Sequence, residues 1–394
     1  MLVKPVYMDN HATTRVDPRV VEAMWPYFTR VYGNAGSTTH AFGHQARQAV
    51  ADARERLAAV LGAKAKEIVF TSGATESNNL AIHGVAERSR DKGNHVVSVV
   101  TEHPSVLDPL EKLARRGFQV TLLAPIQAPD AQAGRIRPEQ VAEALRDDTI
   151  LVSVMLANNE IGVIQPLAEI GRICAARGVL LHTDATQAVG KIPVDLDSLP
   201  VDLMSFTAHK LYGPKGVGAL YVRRRSPPQR LQPLIDGGGQ EGGLRSGTLN
   251  VPGIAGFAKA LELCAAEMAA EAPRLRQLRD RLYAGLSAAV PDTELNGPAL
   301  DPPELRLPGN LNLSFAGVDG EALLLTAKDI AVSSGSACTS ANPEPSHVLR
   351  SLGLSEDATQ SSVRFGLGRF NTAEEVEFAI GLLAEAVQHL RKLR

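Results

Sequence analysis

Four short stretches of the chain carry side chains suited to chemistry. In TSGATESNN (71–79), Gly73 permits a tight turn where an apolar strand passes into a helix. The amides of Ala74 and Thr75 would point forward from that helix start, an anion site suited to a phosphate. Small residues before a helix are equally what a plain cap requires. LLHTDATQAVG (180–190) places Asp184 at the end of an apolar strand, and SFTAHKLYGPKG (205–216) ends another with His209 and Lys210. Ligands of open α/β sheets bind at that edge. An Asp there serves as well as a cap for the next helix. A lysine there is poorly placed for solvent, and such lysines shift pKa readily and form Schiff bases. A phosphate cup, a buried acid and a strand-end lysine together fit pyridoxal phosphate, with the Asp on the pyridine nitrogen and the Lys on the aldehyde. The fourth stretch, SSGSACTS (333–340), sets Cys338 among small residues, with no second cysteine near and no apolar run to bury it.

These groups need elements to hold them. EIVFT (67–71), HVVSVV (95–100), QVTLLA (119–124), ILVSVML (150–156), VLLHTD (179–184), VDLMSF (201–206) and GALYV (218–222) read as short buried strands. Several are continuously apolar, as parallel strands covered on both faces are. Helical patterns fall between most of them, which argues for an α/β sheet with right-handed crossovers. Ala46, Ala49, Ala53, Leu57, Val60 and Leu61 recur at helical spacing before a stop at Gly62. After residue 252 the pattern changes. Residues 254–290 read as mostly helix, interrupted at Pro273, and NLNLSF (310–315) alternates like a half-exposed strand. Thr372 and Glu375 form a capping box for a last helix with the stripe Val376, Ile380, Leu383, Val387 and Leu390. The expected organisation is a large α/β domain over 12–255 and a smaller α+β domain made of 1–11 and 256–394.

A chain of 394 residues is long enough for two cores. Forty-one basic against 43 acidic residues give a net charge of −2, which excludes nucleic acid or a membrane held by bulk charge. No apolar stretch is long enough to span a bilayer, and MLVKPVYMDNHATT lacks the apolar centre of a signal peptide, so a cytoplasmic protein is expected. Three scattered cysteines give neither a disulfide framework nor a zinc site. Cys174 and Cys264 lie in helical patterns and read as small core residues.

YMDNHATT, TSGATESNN, TEHPSV, NNEIG, HTDATQAVGK, SFTAHKLYGPKGVGALYV, RSGTLN, SSGSACTS and VRFGLGRF follow one another along nearly the whole chain. In that order they resemble the cysteine desulfurases, closest to the housekeeping iron–sulfur-cluster type. The resemblance implies a class V pyridoxal-phosphate enzyme of the aspartate-aminotransferase-like fold (fold type I). It implies that Lys210 carries the cofactor, Asp184 pairs with the pyridine nitrogen and Gln187 reaches the ring hydroxyl. Ala74, Thr75, Thr207 and His209 would hold the phosphate, His103 would stack on the ring and shuttle protons, and Asn159 would lie beside ring and substrate. Arg364 is similar to the arginine that clamps the substrate carboxylate, for which a planar two-pronged donor is apt. Thr248 resembles the residue that reaches the phosphate from the other subunit of a homodimer. Without the family match, His103 before Pro104 reads as a cap or loop histidine.

The implied reaction removes sulfur from L-cysteine, leaving L-alanine and a persulfide on Cys338. A thiolate with access and reach is needed there, and small neighbours ease loop motion. The persulfide would pass to an iron–sulfur scaffold or a thiolation protein. No resident metal is implied, Cys338 being the one residue that could ligate an iron–sulfur cluster transiently. Transaminases and selenocysteine lyases share the fold and cofactor, and a non-catalytic sulfur-relay scaffold is the alternative of another class. Two positions depart from the housekeeping pattern. Thr207 stands where Ser is usual and keeps the hydroxyl. The sequence stops at HLRKLR, where those enzymes continue with a tail that helps dock the scaffold, so the acceptor stays open.

Overall fold

The computed structural model describes residues 2–224, 231–334 and 345–393. The large sheet has seven strands: β1 (Ile68–Thr71), β2 (His95–Val99), β3 (Gln119–Leu123), β4 (Thr149–Ser153), β5 (Leu180–Asp184), β6 (Leu203–Thr207) and β7 (Gly218–Val222). Their order is β1-β7-β6-β5-β4-β2-β3. β2 to β6 pair in parallel, and β7 runs antiparallel to both β6 and β1. The stretch between β6 and β7 is too short for a crossover helix, so β7 folds straight back. All strands except β7 therefore end on one edge, which collects Thr71, Asp184 and Thr207. β3, expected to be buried, is the sheet's edge strand and is partly exposed.

Helices cover both faces. α1 (Ala41–Leu61) buries Ala46, Ala49, Ala53, Leu57 and Leu61 and stops at Gly62, whose φ of 65° favours glycine. α2 (Ala74–Arg88) and α3 (Pro104–Arg115) follow β1 and β2. The second core lies around a four-stranded antiparallel sheet of β8 (Thr293–Leu295), β9 (Asn310–Phe315), β10 (Ser333–Ser334) and β11 (Ser362–Gly366), in the order β10-β11-β9-β8.

Two local expectations are corrected. NLNLSF is buried at all six positions. Its polar face meets other protein groups instead of water: Asn310 and Asn312 Nδ2 donate to Glu160 O, beside the large sheet, and Ser314 Oγ donates to Asn296 Oδ1, next to β8. The helix expected to break at Pro273 runs on as α4 (Val251–Ala289), 39 residues long. Packing at both ends outweighs the one lost hydrogen bond. Ile254, Phe257, Ala258, Leu261 and Cys264 join the large core, and Leu275, Leu278, Leu282 and Leu286 join the second. The division expected at residue 255 thus lies inside α4. The last helix, α5 (Ala373–Lys392), starts with the Thr372–Glu375 capping box and buries Val376, Leu383 and Val387. No helix among the described residues is long and apolar enough to cross a membrane.

Several polar residues inside the large sheet are paired across strands, such as Ser98 Oγ, which donates to Ser153 O at 2.8 Å. His182 on β5 sits between Ser153 Oγ at 2.8 Å and Ser205 Oγ at 3.1 Å. Burial lowers its pKa to about 4, against the opposing pull of Asp184. Its value in the unfolded chain is about 6.5. Between these values the unfolded state binds the proton and the folded state does not, so stability is lost as pH falls through that window. The drop in thermal midpoint between pH of about 7 and about 4.5 should be smaller in His182→Gln than in the parent. Equal drops in the two proteins would refute the assignment.

Candidate active site

At the strand-end edge a cavity of about 590 Å³ is lined by Gly73, Ala74, Thr75, His103, Asn159, Asp184, Gln187, Thr207, His209, Lys210 and Arg364, among others. This is an ordinary size for a small-molecule site. At one end lies the start of α2. No side chain caps it, so its first N–H groups remain available to a ligand. Glu76 in its first turn accepts from Ser72 N and from Arg245 Nε at 2.9 Å. Burial raises the Glu76 pKa, but these bonds outweigh it and leave the value lowered. Its charge is thus matched by Arg245 rather than set against an incoming anion. Thr207 Oγ1 donates to Val217 O at 2.9 Å and would have to rotate to donate to a phosphate. His209 meets Thr13 Oγ1 at 3.1 Å, and burial, with Lys210 and Lys215, lowers its pKa to about 4. Gly218 opens β7 beside the turn. A Cβ there would come within 2.7 Å of Gly73 Cα, so only glycine lets the two backbones approach.

In the middle sits Asp184, 5% exposed. Its Oδ1 accepts from Thr186 N at 2.9 Å and its Oδ2 from Asn78 Nδ2 at 2.8 Å. Asp184 thus makes the turn expected of a cap and also lines the cavity. The same Asn78 nitrogen donates to Ser105 Oγ at 2.9 Å, and Ser105 Oγ in turn lies 2.9 Å from His103 Nδ1. His103 Nδ1 accepts from Ser105 N at 3.0 Å and caps α3, the role its place before Pro104 suggests, while the residue also lines the cavity. Burial lowers its pKa, partly offset by Asp184. A neutral ring that accepts at Nδ1 carries its hydrogen on Nε2. Glu102, next to it, is fully buried, and burial followed by the charge of Asp184 raises its pKa well above normal. Lys210 Nζ donates to His11 O at 2.7 Å and Ala12 O at 2.6 Å.

Arg364 stands at the other end on β11, 4% exposed. Nη2 pairs with Asp9 Oδ1 at 2.8 Å and Nη1 lies 3.4 Å from Asn159 O. Its Nε is buried without a partner among the described residues. Such a donor is costly unless an incoming acceptor takes it. An uncapped helix start, a buried acid, a strand-end lysine and a guanidinium with one donor left unpaired fit pyridoxal phosphate together with a carboxylate substrate.

Thr248 does not line the cavity of its own chain; it is exposed. Cys338 lies outside the described residues. The segments on either side of it are held at the site: Ser333 pairs with Arg364 across β10 and β11, Ser346 Oγ donates to Glu160 Oε2, and His347 Nε2 lies 3.0 Å from Glu102 O. Sequence reasoning missed Asn78, Ser105, His11 and Lys191. All four lie in the quoted motifs, but nothing local shows that Asn78 meets Asp184, that Ser105 meets Asn78, or that His11 and Lys191 meet Gln187.

A family model described as aminotransferase class-V matches residues 6–378. A protein of Anaeromyxobacter dehalogenans (strain 2CP-C) named cysteine desulfurase IscS is 58% identical over 389 residues, 99% of this chain and 94% of the relative. A solved NifS-like protein is 39% identical with a TM-score of 0.88, covering 98% of this chain and all of its own. A second, described as SspA in complex with cysteine, is 35% identical with a TM-score of 0.80 over 94% of this chain and 100% of that one.

The close approach at Gly218 makes a specific prediction. Gly218→Ala should push the phosphate turn outward and reduce affinity for pyridoxal phosphate roughly tenfold, the scale of one overpacked contact. Affinity for pyridoxal, which has no phosphate, should change far less. Equal losses for both ligands would show that the turn does not hold the phosphate.

Proposed function

The chain belongs to the aminotransferase class-V family and, within it, to the cysteine desulfurases, and from that premise we propose that it removes sulfur from L-cysteine and hands it on as a Cys338 persulfide. One observation carries the reading. Lys210, Asp184 and Arg364, far apart in sequence, line one cavity, and the buried Arg364 Nε has no partner among the described residues. The acid and lysine suit pyridoxal phosphate, and a guanidinium with this donor still unpaired suits the carboxylate of an amino acid.

Ala74, Thr75, Thr207 and His209 would hold the phosphate, Asp184 the pyridine nitrogen, Gln187 the ring hydroxyl and Lys210 the aldehyde carbon. When bound, the cofactor supplies an electron sink beside the substrate's α-carbon. Arg364 fixes the substrate carboxylate, and Asn159, whose carbonyl faces Arg364, lies beside it. Lys210 takes the α-proton and returns a proton to carbon. His103, neutral and tied down at Nδ1, moves a proton at Nε2. Cys338 attacks as a thiolate. The bond between carbon and sulfur breaks, a sulfur–sulfur bond forms at Cys338, and the carbon keeps the electron pair and gains a proton as alanine.

We read the acceptor as a partner protein, an iron–sulfur scaffold or a thiolation protein. We read the enzyme as a homodimer with shared sites. Trp25, Phe28, Tyr32 and Phe42 are exposed on one stretch of chain, with the Tyr32 and Phe42 rings 5.4 Å apart. Leu234 and Ile235 are exposed before the Gly-rich segment that ends at Thr248. An aromatic surface of this kind suits a second copy. Thr248, exposed and outside its own cavity, would serve the partner's phosphate in such a dimer.

Purified protein supplied with pyridoxal phosphate, L-cysteine and a reductant should form sulfide and alanine in equal amounts. Transfer of the amino group to a 2-oxo acid, with no sulfide, would make it a transaminase. Cys338→Ser should keep the cofactor and its spectral response to cysteine but make no alanine, and near-parent alanine production would rule Cys338 out. Arg364→Ala should raise the KM for cysteine by roughly one to two decades, since a charge-assisted hydrogen bond is worth about 1.5–3 kcal/mol. An unchanged KM would remove Arg364 from the substrate.

A further inference from the structure

Lys191 lies behind Gln187, a lining residue of the cavity, and the reaction as described gives it no task. Its Nζ lies 2.5 Å from Gln187 Oε1 and 3.4 Å from His11 Nδ1. Gln187 Nε2 donates to His11 O at 2.9 Å. His11 Nδ1 lies 3.1 Å from the same Gln187 oxygen. With that nitrogen accepting from Lys191 Nζ it has no hydrogen to give, so the lysine is the donor that orients the amide oxygen while His11 O takes the amide NH₂. The turn at Gly190 brings Lys191 back onto Gln187. Gly190 has φ of 80°, and a Cβ on it would meet Leu211 Cβ at 2.9 Å. Burial, followed by the charges of Lys210 and Arg364, lowers the Lys191 pKa to about 7. The lysine is thus held against opposing charge at some cost. His11 cannot replace it as a cation, because burial and the Lys191 charge keep its pKa well below normal.

We propose that Lys191 is a positioning residue for the cofactor: it binds the Gln187 carbonyl oxygen and so turns the Gln187 amino group toward the ring oxygen of bound pyridoxal phosphate. An amide NH₂ has two hydrogens. His11 O takes one, and the other remains for the ring. With the amide reversed, its oxygen would face both His11 O and the ring oxygen, two acceptors. The proposal rests on the reading that Gln187 faces the ring hydroxyl.

The test measures binding rather than turnover. Cofactor-free parent, Lys191→Met, Gln187→Ala and the double variant are titrated with pyridoxal phosphate and with its analogue lacking the ring hydroxyl. Lys191→Met should weaken pyridoxal phosphate roughly twofold to tenfold, the worth of one neutral hydrogen bond, and leave the analogue unchanged. The double variant should bind no more weakly than Gln187→Ala alone. Lys191→Ala, which adds no apolar bulk, repeats the test should the methionine variant misfold. If the Lys191 variants weaken both ligands equally, or add their full effect to Gln187→Ala, the lysine does not act through Gln187 and the proposal is wrong, while the reading of Gln187 stands. If the parent and Gln187→Ala do not distinguish the two ligands at all, the reading of Gln187 falls and takes the proposal with it.

Discussion

The hydrogen bonds that one buried strand-end acid must be given set the terms for everything around it. Asp184 is nearly out of water, where a polar group without partners is costly. Here Thr186 N and Asn78 Nδ2 each give it a hydrogen bond. Asn78 also reaches Ser105, and Ser105 reaches His103. One amide therefore holds both a strand-end acid and the imidazole that begins α3. Glu102 contributes by staying neutral. Had it ionised, two negative charges would share a dry pocket, which is the arrangement burial punishes most.

The second layer of constraint comes from the smaller sheet. β9 was expected to keep one face wet, and instead sets Asn310 and Asn312 against Glu160 O. That contact fixes the turn at Asn158–Gly162, where Asn158 Oδ1 also accepts from Glu160 N and Ile161 N. Asn159 rides on this turn and faces Arg364 from β11. The polar face of the small domain thus acts as a template for the substrate end of the cavity, much as the strand edge does for the cofactor end.

What the sequence disclosed follows from how local each signal is. Apolar runs ending in Asp184 and Thr207 announce strands and their functional edge, because burial on both faces leaves a continuous pattern. The uncapped turn at Gly73 and the capping box at Thr372 are equally local. The face of β9 was misjudged because alternation shows that two faces differ, not whether the polar one meets water or another domain. Pro273 was misjudged because a lost hydrogen bond is local while the packing that overrides it is not. Asn78 and Lys191 went unassigned for the same reason. Asn78 meets a carboxylate 106 positions away, and Lys191 gains its meaning only from Gln187 and His11. Cys338 stands on its sequence context alone.

The helix α4 has a mechanical consequence. At 1.5 Å of rise per residue its 39 residues make a beam of roughly 58 Å. It begins in one core and ends in the other. Domains that clamp down on substrates usually swing on short loops. Here a continuous beam runs between the bodies. Its weakest point is the turn before Pro273, where the Ala269 carbonyl can receive no amide hydrogen from the proline. That turn is braced from outside. Glu271 accepts from Tyr212 Oη at 3.2 Å and from Arg369 Nε at 2.9 Å, and Arg369 also grips Asp17 at 2.9 Å. A frame stiffened at its one soft joint transmits load rather than flexing. Substrate binding energy then goes little into swinging domains, and the motion that catalysis needs falls to short pieces of chain at the cavity rim.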